Sequence, residues 1–259
     1  MENTKNIKLI IAYDGTNYYG WQKQKNRKTI QGTIEKVIRN ITGENRIKLN
    51  GSGRTDAGVH AIGQVANFIT KSSMPVNKWT LVLNHNLPGD IRVRKAQSVS
   101  MDFHARYSAK SKIYKYFIMN RSLFDTRFSS KVVLMRNYYY FLNKQLDIHR
   151  MIETSKYLYG YHDFSALSCL NKKKNDRRVN RLRTIKSINI KKNKQIVCFT
   201  IEADAFLYKM MRLIVGTLIN FSMNKREPKE IINILEGKNN QKSGIVLPPN
   251  GLYLIKVRY

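Results

Sequence analysis

The sequence predicts an α+β fold: two similar lobes whose mixed and antiparallel strands form one continuous central sheet flanked by helices. Three observations lead there. Segments of strand and helix periodicity are intermixed, several strands follow one another with no helix between them, and the second half loosely repeats the order of the first. A doubly wound sheet would alternate strand and helix throughout, so α+β is preferred. No Pro-, Gly- or Ser-rich linker divides the halves. The lobes are therefore expected at 1–105 and 106–259, sharing the sheet and a single cleft.

Each element has its own justification. Lys8–Tyr13 is an apolar run that reads as a buried strand. Ile30, Ile34, Val37, Ile38 and Ile41 then recur at helical spacing, with Thr29 as N-cap and Gly43 just past the end. Ile47 and Leu49 alternate with polar residues into the turn Gly51-Ser52-Gly53, and Gln64–Ile69 is the returning strand. Pro75 is expected at the first position of a helix that turns Val76, Trp79, Leu83 and Leu87 inward. Ile91–Val99 and Ile113–Met119 are strands. In the second half, Asp147–Leu158 reads as a helix with Leu146, Met151, Ile152 and Leu158 inward. Thr184–Ile190 and Gln195–Asp204 form a hairpin with Val197, Phe199, Ile201 and Ala203 on one face. A long helix is expected from Phe206 to Met223, another from Pro228, and a final strand in which Tyr253, Ile255, Val257 and Tyr259 alternate.

Composition narrows the function. The chain has 259 residues, 42% of them hydrophobic, enough for a real core. Its 47 Lys and Arg against 17 Asp and Glu give a formal charge of +30. Such an excess repels itself in the compact state and points to an anionic partner, a nucleic acid ahead of the competing reading of a membrane surface. The apolar run Ile7–Tyr13 is short and broken by Lys8, unlike a signal peptide, and no stretch approaches a membrane span. Cys169 and Cys198 stand in unrelated contexts, so a reducing, cytoplasmic setting without disulfides is expected. The five histidines and two cysteines never fall at metal-ligand spacing, so no zinc site is expected.

The densest chemical signal is Gly51-Ser52-Gly53-Arg54-Thr55-Asp56-Ala57-Gly58-Val59-His60-Ala61. Glycines and small side chains let backbone approach a ligand, and the carboxylate of Asp56 is a potential nucleophile. A tight turn in which Asp56 merely caps its own backbone accounts for the same composition.

From Gly53 to Ala61 the motif resembles the catalytic signature of the tRNA pseudouridine synthase A family. Further landmarks follow in order: Tyr13-Asp14-Gly15-Thr16, Tyr19-Gly20-Trp21-Gln22 and the Ile30-Gln31 helix start, then Phe103-His104-Ala105-Arg106, Ser108-Ala109 and Tyr114-Lys115-Tyr116. His162-Asp163-Phe164, Phe206-Leu207-Tyr208-Lys209-Met210-Met211-Arg212, Pro248 and Gly251-Leu252-Tyr253-Leu254 complete the set. The resemblance covers nearly the whole chain. It implies the pseudouridine synthase fold and a cofactor-free isomerisation of uridine to pseudouridine in the anticodon stem-loop of tRNAs, at positions 38, 39 and 40. In that reaction the C1′–N1 bond breaks, the base turns and a C1′–C5 bond forms. It also implies a homodimer acting on one tRNA.

The resemblance assigns roles residue by residue. Asp56 matches the essential aspartate, either adding to the sugar or assisting a glycal, and Arg212 matches the arginine that pairs with it. Tyr114 matches an active-site tyrosine that stacks on the extruded base or helps remove the C5 proton. Leu252 matches a leucine lining the uracil pocket. Arg54 is expected to bind the flanking phosphate or to move with base flipping, and His60 to support the loop. Lys172 to Arg183 carries seven basic residues and one acid; within it Lys173, Arg177 and Arg178 are expected to bind the tRNA backbone. Two other readings compete: a catalytically inactive structured-RNA-binding protein, and a metal-dependent nuclease using Asp14, Asp56 and Asp90.

Overall fold

The structure, a computed structural model, describes residues 4–120, 129–169, 180–237 and 243–259. The chain forms two compact units: Met1–Lys110 with Tyr253–Tyr259, and Ser111–Leu252. Each holds a mixed sheet with helices packed on it, so the fold is α+β.

The first unit contains β1 (Lys5–Tyr13), α1 (Ile30–Thr42), β2 (Asn50–Gly51), β3 (His60–Thr70), α2 (Lys78–Asn86) and β4 (Ile91–Val99). In β1 every second residue of Ile7, Leu9 and Ile11 is fully buried, the alternation a half-covered strand requires. β1 runs antiparallel to both β3 and β4, and β2 adds antiparallel pairs to β3 at Asn50–Asn67 and Gly51–Ala66. The helix α1 buries Ile30, Ile34 and Ile38 along one stripe. Its ends are the expected ones: the Thr29 hydroxyl accepts from the Gly32 N–H, and Gly43 closes the helix at φ 71°, where glycine carries no Cβ penalty. In α2, Trp79 and Leu83 are buried, with Trp79 edge-on to Phe68 at 5.2 Å. Pro75 is not at the first helical position. It opens a tighter preceding turn, closed by the Lys78 N–H on its carbonyl at 3.0 Å, and the α-helix begins only at Lys78.

The second unit contains β5 (Ser111–Asn120), α3 (Ser129–Met135), β6 (Tyr140–Leu142), α4 (Ile148–Lys156), β7 (Gly160–Asp163), β8 (Leu182–Asn193), β9 (Ile196–Ala203), α5 (Met210–Met223) and α6 (Ile231–Leu235). Its sheet runs β6, β5, β9, β8, β7, parallel at the first pairing and antiparallel after it. The hairpin of β8 and β9 is the one expected, closed around Lys194 at φ 51°, with Val197, Phe199, Ile201 and Ala203 all fully buried. Two helices are shorter than their periodicity suggests. Lys209 is left-handed at φ 59°, so α5 starts at Met210 and not at Phe206. In α4 the Asp147 side chain caps the Arg150 N–H, and Tyr157 and Leu158 lie beyond the helix end. Pro228 opens a 3₁₀ turn, Pro228–Glu230, that leads into α6.

The last strand, β10 (Leu252–Arg258), pairs parallel with β3 through Tyr253–His60 and Leu254–Ala61. Its buried positions are Leu252, Leu254 and Val257, whereas Tyr253 and Ile255 are half-buried, so the regular alternation does not hold. Gly63 permits the close approach, since a Cβ there would lie 2.3 Å from the Ile255 carbonyl oxygen.

Candidate active site

In the first unit the loop between β2 and β3 is pinned on both sides, leaving Asp56 near its crest. On the entering side the Ser52 N–H donates to the Val65 carbonyl at 2.8 Å, and its hydroxyl donates to Gln64 Oε1 at 2.6 Å. Gln64 Nε2 returns a bond to the Gly53 carbonyl at 3.0 Å. Thr55 is buried, its hydroxyl 2.8 Å from that of Tyr13 and its carbonyl accepting from the Trp21 N–H at 3.1 Å. Burial pushes the Tyr13 hydroxyl well above the ordinary tyrosine range, against the opposing hydrogen bonds of Thr55 and Gln64. It therefore stays protonated as a fixed strut.

On the leaving side the Val59 N–H donates to the Asp56 carbonyl at 3.2 Å, closing a turn with Gly58 at φ 76°. The Gly58 N–H donates to the Tyr18 carbonyl at 3.3 Å. Gly20 lies against the loop so tightly that a Cβ there would sit 2.5 Å from the Thr55 carbonyl oxygen. Ser52, Thr55, Val59 and His60 are thus buried, Asp56 is half-buried, and Arg54 and Ala57 are exposed. The Arg54 Nε–H donates to Gln22 Oε1 at 3.0 Å.

His60 supports this loop from beneath. Its ring stacks on Tyr253 at 4.7 Å, and its Nδ1 lies 3.2 Å from the Gly15 N–H and 3.1 Å from the Asp14 carboxylate. A neutral Nδ1 accepts from Gly15 and a protonated one donates to Asp14, so it serves one of them at a time. The other two acids of the nuclease reading have structural partners: Asp14 accepts from Thr16, and Asp90 from the Tyr18 hydroxyl at 2.6 Å. Among the described residues no group of three or more His, Cys, Asp or Glu is placed to hold a metal ion.

In the second unit, Tyr114 lies on β5 opposite Ile201, only 6% exposed, its ring edge-on to Phe206 at 4.8 Å. Arg212, in the first turn of α5, is 9% exposed and donates its Nε–H to the Leu247 carbonyl at 2.6 Å. That carbonyl is delivered by a close backbone crossing. Gly216 of α5 and Gly244 touch so nearly that a Cβ on Gly244 would lie 2.3 Å from the Gly216 carbonyl. Tyr116, two residues beyond Tyr114, donates its hydroxyl to the Pro248 carbonyl at 2.7 Å. Burial pushes that hydroxyl far up, and the positive charge of Arg212 draws it partly back. Gly251 sits against the Tyr116 ring and the Phe117 carbonyl, and Leu252 follows it, buried, at the start of β10.

Asp56 and Arg54 therefore belong to the first unit, and Tyr114, Arg212 and Leu252 to the second. Lys173, Arg177 and Arg178 lie outside the described residues. Two residues near Arg212 had no role in the sequence reading: Tyr116, quoted there only within its landmark, and Leu247. The period-two spacing of Tyr114 and Tyr116 on one strand face was the available signal for the first; a backbone carbonyl has no signal in sequence.

In the first unit, a half-buried carboxylate on a loop pinned on both sides suits attack at an electrophilic carbon. The comparisons give the class of enzyme. Residues 9–108 and 154–259 match the family model described as tRNA pseudouridine synthase, which places the chain among the isomerases. A protein of Acetivibrio thermocellus named tRNA pseudouridine synthase A is 45% identical over 255 residues, 98% of this chain and 100% of the relative. One of Thermoanaerobacter sp. with the same name is 44% identical over 255 residues, with the same shares covered. A Clostridium tetani protein named tRNA pseudouridine synthase A 2 is 45% identical over 257 residues, 98% of this chain and 99% of the relative. The chain belongs to the tRNA pseudouridine synthase family.

Proposed function

We propose that this chain converts uridine to pseudouridine in the anticodon stem-loop of tRNA, at positions 38, 39 and 40, with Asp56 as the nucleophile. The observation that carries this reading is the pinning of the loop around Asp56. Buried Ser52, Thr55, Val59 and His60 hold the backbone on both sides, so the carboxylate is presented from a preorganised loop. Arg212 is its ion-pair partner; a guanidinium nine-tenths buried on an apolar helix is kept where a carboxylate compensates it. Tyr114 stacks on the extruded base or assists loss of the C5 proton, Leu252 lines the uracil pocket, and Arg54 binds the flanking phosphate. Extruding a stacked uridine costs a few kcal/mol. Lys173, Arg177 and Arg178 supply part of that through the tRNA backbone. The enzyme acts as a homodimer, and it works in the cytoplasm.

The test is pseudouridine formation on an unmodified anticodon stem-loop transcript with EDTA present. Wild type should form product, and Asp56→Ala should lose about 10³-fold or more in turnover while still binding tRNA, as expected when one member of a concerted catalytic set is removed. Equal loss of binding and turnover would make Asp56 structural. No product from wild type, with tight tRNA binding, would leave an inactive RNA-binding protein.

A further inference from the structure

Two glutamines of the first unit, Gln22 and Gln31, have no part in the chemistry above, yet a chain of polar contacts runs through them to Arg54. It begins at Glu35 on α1, 4% exposed. The Glu35 carboxylate accepts from the Leu49 N–H at 3.1 Å through Oε1, and its Oε2 is 3.4 Å from the Lys23 ammonium. Gln31, one turn earlier on the same helix and 8% exposed, donates Nε2 to Glu35 Oε1 at 3.0 Å and to the Leu49 carbonyl at 3.0 Å. Its Oε1 accepts from the Lys23 backbone N–H and from Gln22 Nε2, both at 2.8 Å. The Gln22 Oε1 then accepts the Arg54 Nε–H at 3.0 Å.

The direction of this chain is forced from both ends. The Leu49 carbonyl can only accept and the Lys23 backbone N–H can only donate, so the Gln31 amide has one permitted orientation. A flip would set its NH₂ against the Lys23 N–H and its oxygen against two acceptors, an expensive fault in a buried group. With Gln31 presenting oxygen, Gln22 must present its NH₂ inward and its oxygen outward. Arginine has no acceptor, so that outward oxygen is what an Nε–H needs. An exposed arginine otherwise samples many rotamers. Held at Nε, its terminal N–H groups remain as a fork whose geometry matches two oxygens of a phosphate.

We propose that Gln22 is a positioning residue for the RNA-binding arginine Arg54, oriented by a polar relay from the buried Glu35 through Gln31. The inference rests on the phosphate role proposed above for Arg54. It gives the Trp21-Gln22 and Ile30-Gln31 landmarks a task in substrate binding without contact to the reacting atoms.

The experiment is a double-mutant cycle on steady-state pseudouridine formation with a full-length tRNA transcript, using wild type, Arg54→Ala, Gln22→Met and the double variant. Methionine keeps the length and volume of Gln22 and removes both hydrogen bonds, leaving the buried Gln31–Glu35 pair in place. Arg54→Ala should raise KM about tenfold and Gln22→Met about fivefold, the scale of one ordinary intramolecular hydrogen bond, with kcat nearly constant. The double variant should be no worse than Arg54→Ala alone, because Gln22 then has nothing to position. Multiplying effects, an effect of Gln22→Met confined to kcat, or an unchanged KM in Gln22→Met would each overturn the relay while leaving Arg54 in its role. An unchanged KM in Arg54→Ala would overturn the phosphate role and the relay together, with the assignment of Asp56 still decided by its own variant.

Discussion

Asp56 depends on residues that touch it only through backbone. Gly20 is the sharpest case: it stands at φ 82°, and a Cβ there would lie 2.5 Å from the Thr55 carbonyl oxygen and 3.0 Å from the Asp56 carbonyl carbon. Gly20→Ala should destabilise the protein by about 1–3 kcal/mol, from left-handed strain and the clash together. It should also lower kcat by about 100-fold at temperatures where the variant is still folded, because displacement of a catalytic group by about 1 Å has that effect. Thermal melting and turnover measured on the same preparation check both; a normal kcat would show that Asp56 tolerates a shifted crest. The residue types in this loop were legible in the sequence, and the family resemblance singled out Asp56. The contacts that stiffen it were not, since Tyr13, Trp21 and Gln64 come from three separate segments.

At the scale of elements, α5 shows how packing overrides local preference. Gly216 lies inside a helix, where Ala would ordinarily be favoured by about 1 kcal/mol. Here a Cβ would meet the Ile245 carbonyl oxygen at 1.9 Å, a contact with backbone that no side-chain rotation relieves. The clash outweighs the propensity, so Gly216→Ala should cost about 1–3 kcal/mol, the usual penalty of overpacking. The segment carrying Leu247 should also move off Arg212. Hydrogen exchange at the Gly244 and Leu247 amides, bonded to Thr217 and to the Arg212 carbonyl, should accelerate. Unchanged protection with normal stability would show that the crossing has slack. The same principle sets where two helices start. Pro75 suits a helix beginning by residue type and Phe206 by its apolar spacing, but a tight turn in one case and the left-handed Lys209 in the other delay the helix.

For the whole molecule the dominant fact is charge. A formal +30 on 259 residues makes tRNA binding largely a matter of releasing counterions from the RNA. Affinity for a tRNA transcript should fall by about 100-fold or more between about 50 and 200 mM salt, the range expected when several phosphates are neutralised. Filter binding across that series is the check, and a flat profile would show that base contacts dominate. No described helix is long and apolar enough to cross a membrane.

The sequence by itself determined the periodicities, hence the α+β class, the caps of α1, the β8–β9 hairpin and the family, because these depend on residue type at fixed spacing along the chain. It also placed Asp56, Tyr114 and Arg212 in their motifs. Only the tertiary structure decided that the final strand groups with the first unit, that the Leu247 carbonyl accepts from Arg212 while Tyr116 holds the adjoining Pro248 carbonyl, and that Glu35, Gln31 and Gln22 form a directed line to Arg54. The physical reason is common to all three. Each depends on hydrogen bonds between groups far apart in sequence, often backbone carbonyls and N–H groups that every residue carries, and such groups acquire identity only through the neighbours that folding gives them.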